Sequence, residues 1–252
     1  LRDIKNIFLL KRIAYEKSEQ PLPYVIYKHN SLIRRKLGNV DMTLQENKAV
    51  NLSLAAPKVN KIIIKPGQTF SFWRLVGNCS QNAGYKEGLT ISSGKATRGI
   101  GGGMCQFTNL IHWMVLHTDM DIIEHHHHDQ IDLFPDFNRT IPFGTGTSIL
   151  YNYLDYRFKN NTNAIYQLIT YTTDKYLCGE IRSNKIQKNK YHIISSDEFF
   201  SKEIDGVYRN GNIYRKLIDC KTGNILNNEL LKENHAKVKY STENLELVDC
   251  TK

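Results

Sequence analysis

Eight glycines fall between residues 76 and 104, and the last three, Gly101-Gly102-Gly103, lead straight into a segment of helical spacing. Phe107, Leu110, Ile111 and Met114 recur at i, i+3, i+4 and i+7, which puts one apolar stripe on a helix over about 105–117. Glycine opens backbone conformations closed to other residues and lets another group approach the main chain. The loop before this helix is therefore shaped by its backbone, and the first side chain after it that carries chemistry is Cys105. A helix start leaves N–H groups unpaired and carries a partial positive charge. A thiol placed there is biased toward thiolate, the nucleophilic form, and the same N–H groups suit an oxyanion. Gly102, Gly103 and the side-chain amide of Gln106 are the candidate oxyanion or substrate-binding groups.

A cysteine nucleophile needs a base. Ile122-Ile123 and the run Glu124-His125-His126-His127-His128 read as a strand, in which alternate residues share a face. Glu124, His126 and His128 then lie together, with an imidazole as base and the carboxylate orienting it. Asp155 is a second acid that could serve. The same histidines with a thiolate could instead hold zinc.

Around this centre the pattern predicts a short basic helix at 4–14 ended by Pro21 and Pro23, and a helix over 43–56 closed by Pro57. It predicts strands at 61–65, 151–159 and 165–172, with Phe70, Phe72 and Trp73 in the core. Asn210-Gly211 between Val207-Tyr208-Arg209 and Ile213-Tyr214 predicts a hairpin turn, and Lys221-Thr222-Gly223 another. The fold class expected is α+β, a mixed or antiparallel sheet packed on the helix whose N-terminus carries Cys105, plus a small β-rich appendage. The division is 1–40 basic helical segment, 41–175 core domain and 176–252 β-rich region.

Charge and cysteine content narrow the classes of function. The net charge is +9, and residues 1–36 hold nine Lys or Arg against three acids. That patch suits a membrane surface or an anionic wall polymer. No nucleic-acid motif accompanies it, so nucleic acid is not an expected partner. No apolar run approaches the roughly 20 residues of a membrane helix, and no stretch reads as a signal peptide. The cysteines Cys79, Cys105, Cys178, Cys220 and Cys250 are odd in number and form no CxxC pair, which gives neither a disulfide scaffold nor a zinc ribbon.

Read together, Gly101-Gly102-Gly103-Met104-Cys105-Gln106 and Glu124-His125-His126-His127-His128 resemble the GGGxCQ and ExHxH motifs of the VanW family. Pro66-Gly67-Gln68-Thr69-Phe70-Ser71-Phe72 is similar to its upstream PGETFSF segment, and 154–162 to its DLKFKNNT segment. The resemblance covers about 40–170, and the flanks resemble the accessory proteins of B-type vancomycin-resistance clusters. It implies a cell-wall enzyme of the envelope: an L,D-transpeptidase working through a Cys105 thioester on peptidoglycan stem peptides, without metal or cofactor. His126 and His128 match the family's two histidines. His125 and His127 replace varied residues, and Asp129 stands where a small residue or Ser is common, so the choice of base between His126 and His128 stays open. The alternative is a non-catalytic protein that binds peptidoglycan or its precursor.

Overall fold

Two helices lie on an antiparallel sheet at the centre of the molecule. The computed structural model describes residues 12–35, 41–92, 95–127, 131–133, 135–136 and 140–251. Four strands, β1 (Tyr24–Leu32), β2 (Ile62–Ile64), β9 (Tyr166–Thr172) and β10 (Tyr176–Ser183), pair antiparallel in the order β1-β10-β9-β2. The helix α1 (Met42–Val59) packs on β9, and α3 (Met104–Val115) packs on β10 and β1. Gly179 of β10 sets the distance of α3 from the sheet, because a Cβ there would come within 2.5 Å of Met114. The core beneath includes Leu52, Val59, Ile62, Phe107, Ile111 and Leu168.

Three shorter elements complete this unit. The strands β3 (Thr69–Ser71), β6 (Asp121–Glu124) and β8 (Arg157–Lys159) pair in the order β3-β8-β6, with Phe70 stacked on Phe158 at 4.6 Å. The one-turn-plus helix α2 (Phe72–Val76) follows β3 and sets Phe72 edge-on against Phe107 of α3. The hairpin β4 (Glu87–Ser92) and β5 (Lys95–Ile100) then runs into the glycine turn before α3.

The remaining strands form a second sheet. Long strands β11 (Asn189–Glu203), β12 (Gly206–Asp219) and β13 (Ile225–Val238) pair antiparallel, edged in parallel by β14 (Leu247–Asp249) and β7 (Ile131–Asp132). It docks at the far end of α3. Arg215 donates from Nε to the Leu116 carbonyl at 2.9 Å and from Nη2 to the Thr118 carbonyl at 2.5 Å, and Tyr191 Oη donates to Asp119. The molecule is an α+β fold in which the helix that carries Cys105 in its first turn packs on an antiparallel sheet, as the sequence predicts.

Several local expectations change. Of the basic helix, residues 1–11 lie outside the described residues; Ile13, which is described, bridges Thr69 in an extended arrangement. Pro57 does not close α1, which continues to Val59. Proline removes only the bond to the Ser53 carbonyl, while Ala55, Ala56 and Val59 are fully buried and Thr170 Oγ1 donates to the Ala56 carbonyl at 2.9 Å. The strand at 151–159 shrinks to Arg157–Lys159. Asn210-Gly211 makes no turn: β12 runs through it, and the reversal comes at Ile204-Asp205. The glycine instead faces a bulge in β11 where the pairing slips between Ser196 and Phe199, and a Cβ at Gly211 would lie 3.0 Å from Glu198. The turn at Lys221–Gly223 is present, with Asp219 Oδ1 accepting from the Lys221 and Thr222 amides.

Candidate active site

The glycine run is required by its own backbone. Gly103 is the N-cap of α3 at φ +108°, and Gly101 sits at φ +79°. Gly102 has no room for a side chain, since a Cβ would meet the Gly88 carbonyl carbon of β4 at 2.4 Å. The group that comes close to the main chain here is thus another stretch of main chain. The Gly102 carbonyl accepts from Asn51 Nδ2 at 2.9 Å, tying the turn to α1.

Cys105 is the second residue of α3 and is half-buried. Burial pushes its thiol above the ordinary value, while the Ile149 N–H facing the sulfur pulls the other way. This corrects the expected bias toward thiolate. A helix end supplies about 0.3–1 kcal/mol to a charge in its first turn, less than the cost of taking a thiolate out of water in an apolar site. Gln106 also differs from expectation: its Nε2 donates to Ser31 Oγ at 2.9 Å and to the Leu32 carbonyl at 2.8 Å, so its donors anchor β1.

Glu124 and His126 meet, although only the first of them belongs to a strand. β6 stops at Glu124, where its partner β8 ends, so the four histidines do not alternate along a sheet. A side-chain contact holds the pair instead: His126 Nε2 donates to Glu124 Oε1 at 3.0 Å. The carboxylate also accepts the Asp155 amide at 2.8 Å, and Arg157 Nε lies 3.6 Å from its other oxygen. This fixes the imidazole and leaves Nδ1 without a hydrogen-bond partner among the described residues. His128 lies outside the described residues. Asp155 is buried and accepts from Ser71 Oγ, the Trp73 and Tyr156 amides, and Arg157 Nε at 2.7 Å. Its carboxylate reaches neither Cys105 nor an imidazole; it holds β3, α2 and β8 together around Glu124.

The segment 147–149 connects thiol and histidine, and nothing in the sequence marks it. The Ser148 amide donates to the His126 carbonyl at 2.6 Å, and the next amide, Ile149, faces the Cys105 sulfur. Thr147 is held from α3, its amide donating to Asn109 Oδ1 at 2.6 Å. No imidazole among the described residues hydrogen-bonds the sulfur.

Beyond this segment a cavity of about 540 Å³ opens between the core and the second sheet. Its walls include His112, His126, His127, Ser148, Ile213 and Lys232; Cys105 is not part of them. Ser148 Oγ is buried with no hydrogen-bond partner among the described residues. His112 is buried, stacked on His125 at 4.2 Å and bonded through Nδ1 to Tyr156 Oη at 3.1 Å. Burial, then the charges of His125, His127 and Lys232, hold His112 neutral far below the usual histidine range. Lys232 Nζ lies 2.8 Å from His127 Nδ1, and His125 Nε2 donates to the Gly146 carbonyl at 2.8 Å. Among the described residues no three His, Cys, Asp or Glu side chains converge as metal ligands do.

Residues 47–182, just over half of the chain, match the family described as "VanW like protein". The chain is also 35% identical over 222 residues to "Vancomycin B-type resistance protein VanW" of Enterococcus faecalis (strain ATCC 700802 / V583), covering 88% of this chain and 80% of that one. The chain belongs to the VanW family. A further relative, "Uncharacterized protein YoaR" of Bacillus subtilis (strain 168), is 26% identical over 154 residues, 60% of this chain and 44% of its own length. No solved structure matches significantly. The VanW family is linked to vancomycin resistance. The family match takes in Cys105, Glu124 and His126, whereas Ile213 and Lys232 of the cavity wall come from outside it.

Proposed function

We propose that this VanW protein is a cysteine-dependent acyl transferase of the cell envelope, acting on peptidoglycan stem peptides as an L,D-transpeptidase does. The observation that carries the reading is the segment 147–149, whose Ile149 amide faces the Cys105 sulfur and whose Ser148 amide holds the main-chain carbonyl of His126, the residue whose imidazole Glu124 orients. In the first step His126 Nδ1 takes the thiol proton and the sulfur attacks the carbonyl at the L-centre of the third residue of a tetrapeptide. The C–S bond forms, the C–N bond breaks, and the terminal D-Ala leaves with the proton returned by the imidazolium. The amine of a second stem then attacks the thioester, the C–N bond of a 3-3 link forms, and the thiol is regenerated. The Ile149 N–H and the N–H groups of the first turn of α3 are the donors offered to the developing oxyanion. Such a link uses a donor that lacks a D-Ala-D-Ala end, which connects the chemistry to vancomycin resistance.

The test is incubation with disaccharide-tetrapeptides and mass spectrometry. Dimers and a thioester on Cys105 are expected from the wild type, none from Cys105→Ala, and a fall of about 10²–10⁴-fold from His126→Ala. A folded protein yielding neither dimer nor thioester overturns the reading. A second reading, a non-catalytic binder of wall precursor, is favoured by the cavity whose walls exclude Cys105; it requires Cys105→Ala to keep full ligand affinity and full cellular effect.

A further inference from the structure

The amino end of α3 holds a lysine with no partner among the described residues. Lys48 is on α1, only 7% exposed, and its stem crosses Gly103, where a Cβ would come 2.5 Å from its Cγ and 3.3 Å from its Cδ. No group among the described residues accepts a hydrogen bond from its ammonium. The charges named as acting on it among the described residues are both of its own sign. Burial, then Arg35 and Arg34, lower its amine to about 7, and the positive end of α3 adds to the repulsion. One turn earlier on the same face, Gln45 is 1% exposed, and its Nε2 is a buried donor without an acceptor among the described residues. Its other end is fixed, Oε1 accepting from the Arg35 amide at 3.3 Å.

Buried donors are nearly always satisfied, and a buried cation is normally paired. Two such failures one helical turn apart, beside a twelve-residue helix whose N-cap, Gly103, gives its first turn no side-chain hydrogen bond, describe a place for an anion. We propose that Lys48, Gln45 and the first turn of α3 form a seat for the terminal carboxylate of a short peptide ligand. An anion arriving there gives the lysine its counter-charge, the amide its acceptor and the helix end a negative group. Gly103 is two residues from Cys105. A carboxylate on this seat therefore meets the same helix end that carries the thiol, and the D-Ala leaving group of the proposed reaction carries such a carboxylate. In that respect the seat deepens the acyl-transfer reading, yet binding to it needs no chemistry at the sulfur.

The test separates the two by using the Cys105→Ala protein. Calorimetry compares N-acetyl-lysyl-D-alanine with its C-terminal amide. The acid is expected to bind at least tenfold more tightly than the amide. That preference disappears in Lys48→Met and again in Gln45→Leu, both checked for folding by circular dichroism. The proposal is overturned by equal binding of acid and amide, by no binding of either, or by a preference that survives Lys48→Met. It is also overturned if inorganic phosphate competes as tightly as the dipeptide binds. Carboxylate binding without any cross-linking by the unaltered protein would retain the seat and reject the transferase.

Discussion

The two ends of α3 are built on opposite terms. At the carboxyl end the helix's own last carbonyls are answered: Arg215 caps the Leu116 and Thr118 carbonyls and stacks over Tyr191 at 3.8 Å, and Gln187 Nε2 donates to the His117 carbonyl at 3.2 Å. His117 lies flat on Tyr27 at 3.6 Å with Nδ1 donating to the Trp113 carbonyl at 2.8 Å. At the amino end a desolvated thiol, an unpaired lysine and an orphaned amide donor gather around a glycine turn. One end is made for stability. The other carries unmet polar groups that cost free energy, as a site prepared for a ligand does.

Substitutions should therefore have opposite signs at the two ends. The largest effect is expected from Lys48→Met. The lysine's folded value, about 7, lies below its unfolded value of 10.5, so the folded state prefers it neutral and loses stability as pH falls from 10.5 toward 7. Removing it should stabilise the protein at pH 7 by roughly 3–5 kcal/mol, at 1.4 kcal/mol per unit, read as a raised urea midpoint with unchanged slope. A lowered midpoint would break the comparison.

The next effect is at the other end and depends on pH. Burial brings His117 down to about 4, with the Trp113 carbonyl opposing. Its contribution is complete above about pH 6.5, is lost as pH falls to about 4, and changes no further below that. The loss should be about 3 kcal/mol, measured by urea unfolding at stepped pH and flattened in His117→Gln. The buried His112 acts in the same direction. The smallest effect is expected from Arg215→Met, which leaves two carbonyls uncapped and should cost roughly 2 kcal/mol. A neutral result there would mean that the second sheet does not steady the helix.

What could be read from the sequence was local. The stripe Phe107-Leu110-Ile111-Met114 and the glycines before it gave α3 and its start correctly, because periodicity and backbone freedom are properties of neighbours. Strand alternation places Glu124 beside His126, but the strand ends at Glu124, and a side-chain hydrogen bond does the aligning. Lys48 and Gln45 were legible in retrospect, since they share the buried face of α1 with Leu44, Leu52 and Ala55. The segment 147–149 and the placing of Lys232 against His127 could not be read, because they arise from packing between segments far apart in the chain. The thiol bias failed because burial is a tertiary quantity, and it outweighs the helix end.

The contact between Gly88 and Gly102 bears on the order of folding. Everything between those residues is the hairpin β4–β5, so the joint that sets the start of α3 closes a short loop with little chain entropy lost. The cap from Arg215 to Leu116 spans 99 residues and must await the second sheet. The turn that starts the helix is therefore closed by near neighbours early, whereas its carboxyl end is secured only when the second sheet docks.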